Sequence, residues 1–539
     1  MVSKMSEGRI FYGGSIITMN DDDPSVEAVG IKEDKIVAVG GFTKVKQKLP
    51  TAELINLNGN TLLPGFHDCH CHPIPYVFFQ VILNLGDIKS YEEFQNVLKN
   101  YTKNKKPNDW ILGLAYNETN FEDEIKLPNR WELDNICPNN PTFILRHDGH
   151  IGFANSLALK LTGIDESSIP PEGSQYRKNK NGQLNGEITE KATRKIILKG
   201  FNPLLQNLDK IALSAFQKLA SKGITTLHSI VSYDTTGDSD DMGTNEIPIL
   251  KSMQDNILQN WYSFVSIKNP RKLKRLRKPP LHGGERDSKF KVNAIKLFID
   301  GSLGASTAWM LEPFLDSPEN SGLCVYDNME ELYNTMKDAH NLGYQIGVHS
   351  IGDKANRELV DLYKRLLAEN PKEDHRHRIE HASLLTSDVI IDIKELGLIA
   401  SIQPPFITTD KKLVIYRLGE KRAKYTYPIK SLIEAGVICA SGSDSPVEDP
   451  DVIWGLHALV NRDDFIPEEC ISIKEALKTY TINGAYAAFE EDIKGSIDVG
   501  KLADFVILDK NPLEIPKNEI KNLQVLETVI RGKTVFKKK

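Results

Sequence analysis

Up to about Leu63 the chain alternates short apolar runs with glycine, aspartate or asparagine: "GRIFYGGSIITM", "AVGIKEDKIVAVG" and "ELINLNGNTLLPG". Short runs punctuated by turn residues predict antiparallel strands. The same texture returns near the other end in "GKLADFVILDKNP" and "LETVIRGKTVFKK". Strand-rich ends around a long middle predict one small β-sandwich built from both, over residues 1–63 and 489–539.

The middle is patterned differently. After "LLPGFHDCHCHP" come "GITTLHSIV" (from Gly223), "WYSFVSI" (from Trp261), "VNAIKLFID" (from Val292), "YQIGVHS" (from Tyr344), "HRIEHAS" (from His377), "GLIASIQ" (from Gly397) and "GVICASGSD" (from Gly436), eight β-branched or apolar runs in all. Stretches of helical periodicity, such as "NMEELYNTMKDAHNLG" and "RELVDLYKRLLAENP", separate most of them. Strand alternating with helix eight times predicts an α/β fold, a (β/α)8 TIM barrel, over residues 64–84 and 201–488. One connection is far too long. About 150 residues separate the first run from the second, whereas βα loops are usually short. That stretch carries its own apolar segments and aromatics, among them Trp110, Tyr116, Trp131 and Phe153. It predicts a subdomain inserted over residues 85–200. Because it follows the C-terminal end of the first strand, it is expected over the barrel mouth, where such barrels carry their chemistry.

Composition narrows the function classes. With 40% hydrophobic and 26% charged residues, little of the chain is left for extended disorder. A formal charge of −6 argues against a nucleic-acid partner, and the basic run Lys268–Pro280 reads as solvated surface. Six cysteines in 539 residues make no disulfide framework. No apolar stretch has the length of a signal peptide core or a membrane span. The expectation is a cytoplasmic protein acting on a small molecule, with no membrane partner and with self-association into a homo-oligomer left open.

The candidate chemistry centres on "HDCHCHP" (His67–Pro73). On a strand, side chains alternate with a period of two. Asp68, His70 and His72 would then share one face, and His67, Cys69 and Cys71 would point toward the surrounding helices. An i, i+2 histidine pair can chelate a metal, whereas a zinc knuckle needs a second ligand pair at short spacing, and none follows. The cysteines therefore read as packing. A lone HxH is a weak signal, but the other strands add to it. Strand five ends in His349, strand six in His381 and strand eight in Asp444, and strand four carries Lys296 within an apolar run. A buried lysine is costly unless neutral or chemically altered. Four histidines, an aspartate and a lysine on the strands of one barrel predict a convergent metal site.

The segments "LPGFHDCHCHP", "HDGHIGFANSLAL", "GEITEKA", "IKLFIDGSLGASTAW", "VHSIGDKAN", "RIEHASL", "GSDSPVEDP" and "GSIDVGKLADFVIL" resemble, in order, blocks of the amidohydrolase superfamily. The branch they are most similar to is amidohydrolase family 3, the N-substituted formamide deformylase-like enzymes. The resemblance implies a metal-dependent hydrolase with His70, His72, His349, His381 and Asp444 as ligands and Lys296 as a carbamylated bridge. It also implies that His150, in "HDGH", contacts substrate. Two positions depart from the pattern: His67 stands where the family has an aliphatic residue, and Ser445 where a tryptophan is typical. The expected cofactor is a pair of zinc or similar divalent ions. The expected reaction is cleavage of a carbon–nitrogen bond in an amide, such as an N-substituted formamide, by metal-activated hydroxide, with Asp444 shuttling the proton. The rival reading is a mononuclear deaminase of a cyclic substrate. Such enzymes usually place a glutamate three residues after the strand-five histidine and lack the strand-four lysine; here Gly352 and Lys296 stand at those positions. A non-catalytic scaffold is the reading from another class, and metal content separates it from both enzymes.

Overall fold

The computed structural model describes residues 8–86, 88–123, 126–146, 151–171, 174–233, 246–267, 269–277 and 287–539. Eight parallel strands form one sheet in chain order: β1 (Phe66–Cys71), β2 (Ile224–Ser232), β3 (Asn260–Ser266), β4 (Phe290–Phe298), β5 (Gln345–Ser350), β6 (Arg378–His381), β7 (Ile399–Ile402) and β8 (Cys439–Ser441). Their residues are almost all buried, as a parallel sheet covered on both faces requires. Past the ends of β1 and β8, His72 N donates to Ser445 O and Asp444 N to His70 O, both at 2.7 Å. The predicted barrel is thus present, and its seam brings the HxH segment beside Asp444.

The helices between strands bury one stripe. In Asp353–Glu369 the buried positions Ala355, Leu359, Tyr363 and Leu366 recur at helical spacing. Met329–Asn341 starts at Asn328, whose side chain accepts from Glu330 N and satisfies an open N–H of the first turn. Deep in the barrel, Arg378 of β6 reaches His228 Nδ1 of β2 at 2.9 Å and Ala487 O at 2.5 Å, and Gln345 also donates to Ala487 O.

Both chain ends build the β-sandwich. Thr61–Pro64 pairs antiparallel with Phe505–Leu508, which continues into Val525–Ile530 and Lys533–Lys537. A second sheet holds Lys35–Gly40, Ala28–Lys32, Arg9–Tyr12 and Glu53–Asn56. Phe11, Val29 and Ile36 share one core with Leu62, Phe505 and Val529. By contacts the chain divides into two compact units, residues 1–74 with 213–539, and 75–212. The second unit has its own six-stranded sheet and a core that includes Phe94, Tyr116, Ile144 and Phe153.

A histidine cluster against β5 and β6 makes stability depend on pH. Ile346 N donates to His377 Nδ1 at 3.1 Å, so the ring proton of His377 sits on Nε2 and is donated to His340 Nδ1 at 2.8 Å. His340 Nε2 in turn donates to Asn370 O at 2.9 Å. His375 accepts from His377 N at 2.9 Å and donates to Leu396 O at 2.9 Å. Each ring uses both nitrogens in its neutral form. Burial above all holds all three below the ordinary value of 6.5. The folded state therefore binds fewer protons than the unfolded one, so this stability is complete above about pH 6.5 and is lost as pH falls. The melting temperature should stay level from pH 8 to 7 and drop steadily toward about pH 5, with a shallower slope in His340→Asn. Equal slopes in the two proteins would contradict this account.

Candidate metal centre

Strict alternation fails in β1. Asp68 pairs with Leu227 and Cys71 with Ser229, leaving both Cys69 and His70 opposite the single residue His228. This β-bulge re-aims side chains. His70 turns to Glu380, while Cys69 packs on Ile399, Ala440 and Ala487, the last of these a residue of the helix Ile482–Ala487. His67 likewise turns toward His228, its Nδ1 3.5 Å from the other ring's Nε2. Asp68 leaves the face of His70 and accepts from Ser443 N at 2.9 Å and Ser443 Oγ at 2.5 Å. The expectation that Asp68 shares a face with His70 and His72 is thus corrected, whereas His67 and Cys69 do lie against a helix, beside Gly484 of Ile482–Ala487.

The ligand atoms of His70, His381 and Asp444 lie within 4.8 Å of one another. Asp444 Oδ1 is 3.4 Å from His70 Nε2 and 3.2 Å from His72 Nε2. The His349 ring stands 4.4 Å from that of His381, centroid to centroid, but outside the three-residue group. Lys296 is only 1% exposed, with its Nζ 5.0 Å from the Phe298 ring centroid and no carboxylate within 4.0 Å among the described residues. Two of these side chains rise from left-handed backbone: φ is +76° at His381 and +58° at Asp444. Such conformations are unfavourable for non-glycine residues and gather at functional sites. His150 lies outside the described residues. Neither Cys69 nor Cys71 belongs to the group.

The hydrogen bonds fix which nitrogen of each ring is free. His70 Nδ1 donates to Glu380 Oε2 at 2.5 Å, and its buried Nε2 has no hydrogen-bond partner. His381 Nδ1 donates to Gln403 Oε1 at 2.7 Å, and the amide is oriented by its own bond to Ser401 O. His349 Nε2 donates to Gly301 O at 3.0 Å, which leaves Nδ1 with the lone pair. The sequence reading missed Glu380 and Gln403. Asp300, which the sequence offers as a partner for an unmodified Lys296, instead accepts from the backbone of Trp309, Ile351 and Gly352 and ties the glycine-rich loop after β4 to the turn after β5.

Electrostatics keep these rings available. Burial, helped by the charge of Lys296, pulls His349 down to about 3 and lowers His70 and His381. Burial works to raise Asp444, but His70, His72 and Lys296 outweigh it and hold the carboxyl below its usual range. Burial also brings Lys296 down to about 8. Neutral imidazoles with the outer N–H tied back, one orphaned Nε2 and an ionised carboxylate form a donor set that fits a divalent metal ion.

The chain is similar to known proteins over nearly its whole length. The pattern of the amidohydrolase family matches residues 53–536. YtcJ of Bacillus subtilis is 30% identical over 98% of this chain and 99% of its own. The N-substituted formamide deformylase of Arthrobacter pascens is 25% identical over 97% of each chain. The crystal structure of an uncharacterized metal-dependent hydrolase from Pyrococcus furiosus superposes with a TM-score of 0.74 and 27% identity, covering 94% of this chain and 100% of that one.

Proposed function

The chain belongs to the amidohydrolase family, and from that premise we propose that it hydrolyses the carbon–nitrogen bond of an amide, with N-substituted formamides as the substrate class. The observation that carries this reading is the convergence of His70, His381 and Asp444 around an unpartnered, buried Nε2. His70, His72, His381 and Asp444 would hold a divalent ion, and zinc suits their nitrogen and oxygen donors. His349 Nδ1 and a carbamylated Lys296 would hold a second. A bound ion supplies an acidified water and a polarised carbonyl. The remaining work falls to the chain. Asp444 takes the proton of the attacking water on its carboxylate and returns it to the departing amine nitrogen, without which an amine leaves poorly.

The position after β5 supports an amide over a cyclic amine. A Cβ at Gly352 would stand 2.0 Å from Trp309 O, so no glutamate fits three residues beyond His349.

The protein should be isolated with, or take up, about two equivalents of zinc. Dipicolinate should abolish amine release from a panel of N-substituted formamides, and added zinc should restore it. Elemental analysis finding no bound metal after reconstitution would end both the hydrolase mechanism and the ligand assignment.

A further inference from the structure

Glu380 takes no part in that reaction, yet it is an acid enclosed deeply beside the centre. It is 2% exposed, and the hydrogen bond from His70 Nδ1 is its closest polar contact. A buried carboxylate is costly unless its oxygens are matched by donors or charge. Its other oxygen lies over β5, where a Cβ at Gly347 would stand 2.6 Å from Glu380 Oε1 and 3.0 Å from the Phe264 ring. Gly347 is not in the left-handed region, so room, not backbone conformation, calls for glycine there. The register sets Gly347 between Lys296 on β4 and Arg378 on β6. Glu380 therefore spreads across the bare inner surface of β5, with one oxygen on His70 and the other toward the two cationic residues.

An imidazole has one ring proton and two places for it. On Nε2 it would occupy the lone pair that faces His381 and Asp444. An acceptor at Nδ1 prevents this. We propose that Glu380 is a positioning residue that holds the His70 proton on Nδ1 and so keeps Nε2 open to the metal, and that Gly347 is glycine to admit it. The inference rests on the metal reading of the centre.

The test has one readout that needs no metal and one that needs no turnover. In metal-free protein with ring-15N histidine, His70 should show the Nδ1–H form in wild type and in Glu380→Gln, whose amide oxygen still accepts. Glu380→Ala should show the proton shared between both nitrogens. Zinc affinity, measured by competition with a chromophoric chelator, should fall about 10- to 100-fold in Glu380→Ala and less in Glu380→Gln. The melting temperature of the metal-free protein serves as control, since a merely structural role would lower it and leave zinc affinity alone. Should Glu380→Ala fail to fold, Gly347→Ala replaces it: crowding Oε1 should weaken zinc about 10-fold with the charge retained. Wild-type zinc affinity and an unchanged His70 tautomer in these variants would overturn the proposal. A wild type that binds no zinc but keeps a Glu380-dependent tautomer would overturn the metal reading and leave the positioning intact.

Discussion

Asp444→Asn is expected to keep its fold and most of its metal and to lose about a thousandfold in turnover. Asparagine has nearly the same shape, and its carbonyl oxygen can still approach His72 Nε2 and His70 Nε2, which lie 3.2 and 3.4 Å from Oδ1 in the wild type. The backbone N–H of this residue bonds His70 O and closes the barrel seam whatever the side chain. What disappears is the negative charge that three cationic or metal-facing neighbours hold in place. An amide oxygen does not take a proton from water near neutral pH and cannot deliver one to an amine. The loss should therefore appear in kcat, with KM for an N-substituted formamide moved by a few-fold at most. His70→Ala should differ by losing metal as well as turnover. Elemental analysis and steady-state kinetics on the two variants separate these outcomes. Turnover within about tenfold of wild type in Asp444→Asn would remove Asp444 as the proton shuttle.

The two variants also show what could be read from the chain and what could not. The barrel was legible because each strand is an apolar run bounded by turn residues, and a histidine or aspartate ending such a run stands out. His349, His381 and Asp444 were found in this way. Alternation then misplaced Asp68 relative to His70. Period two assumes one residue facing one residue, and the bulge sets Cys69 and His70 against His228 alone. Nothing in "HDCHCHP" marks where the extra residue falls, since the partner strand decides it. Glu380 was missed for a related reason. Neighbours on a regular strand face opposite ways, so a histidine at 381 argues against an inward acid at 380. The positive φ of His381 breaks that rule and lets both serve one centre. Gln403 carries no charge and stands beyond its strand, so only the fold reveals its bond to His381.

Lys296→Ala decides between one metal ion and two, and it should lose most of the activity together with one metal equivalent. The side chain is 1% exposed and lies on the inner face of β4, in register with Gly347. As an ammonium it would repel any cation held by His70 and His381 and would be poorly solvated. Burial has already brought its amine down to about 8, so roughly a tenth of it is neutral at pH 7 and half at pH 8. That neutral nitrogen can attack carbon dioxide, forming an N–C bond and releasing one proton, and the product is an anionic carbamate with two oxygens. Carbamylation would reverse the sign of the charge and, with His349 Nδ1, would offer a second ion a ligand set that His349 lacks alone. In the alanine variant the vacated volume should admit a short carboxylic acid such as propionate. Its addition should restore part of both the second metal equivalent and the turnover, whereas an amine of the same length should not. Wild-type protein depleted of bicarbonate and metal together should regain activity with zinc only slowly until bicarbonate is supplied. An Ala variant with full metal content and near-normal turnover would leave a single-ion centre built on His70, His72, His381 and Asp444, with Lys296 a buried cation beside Glu380.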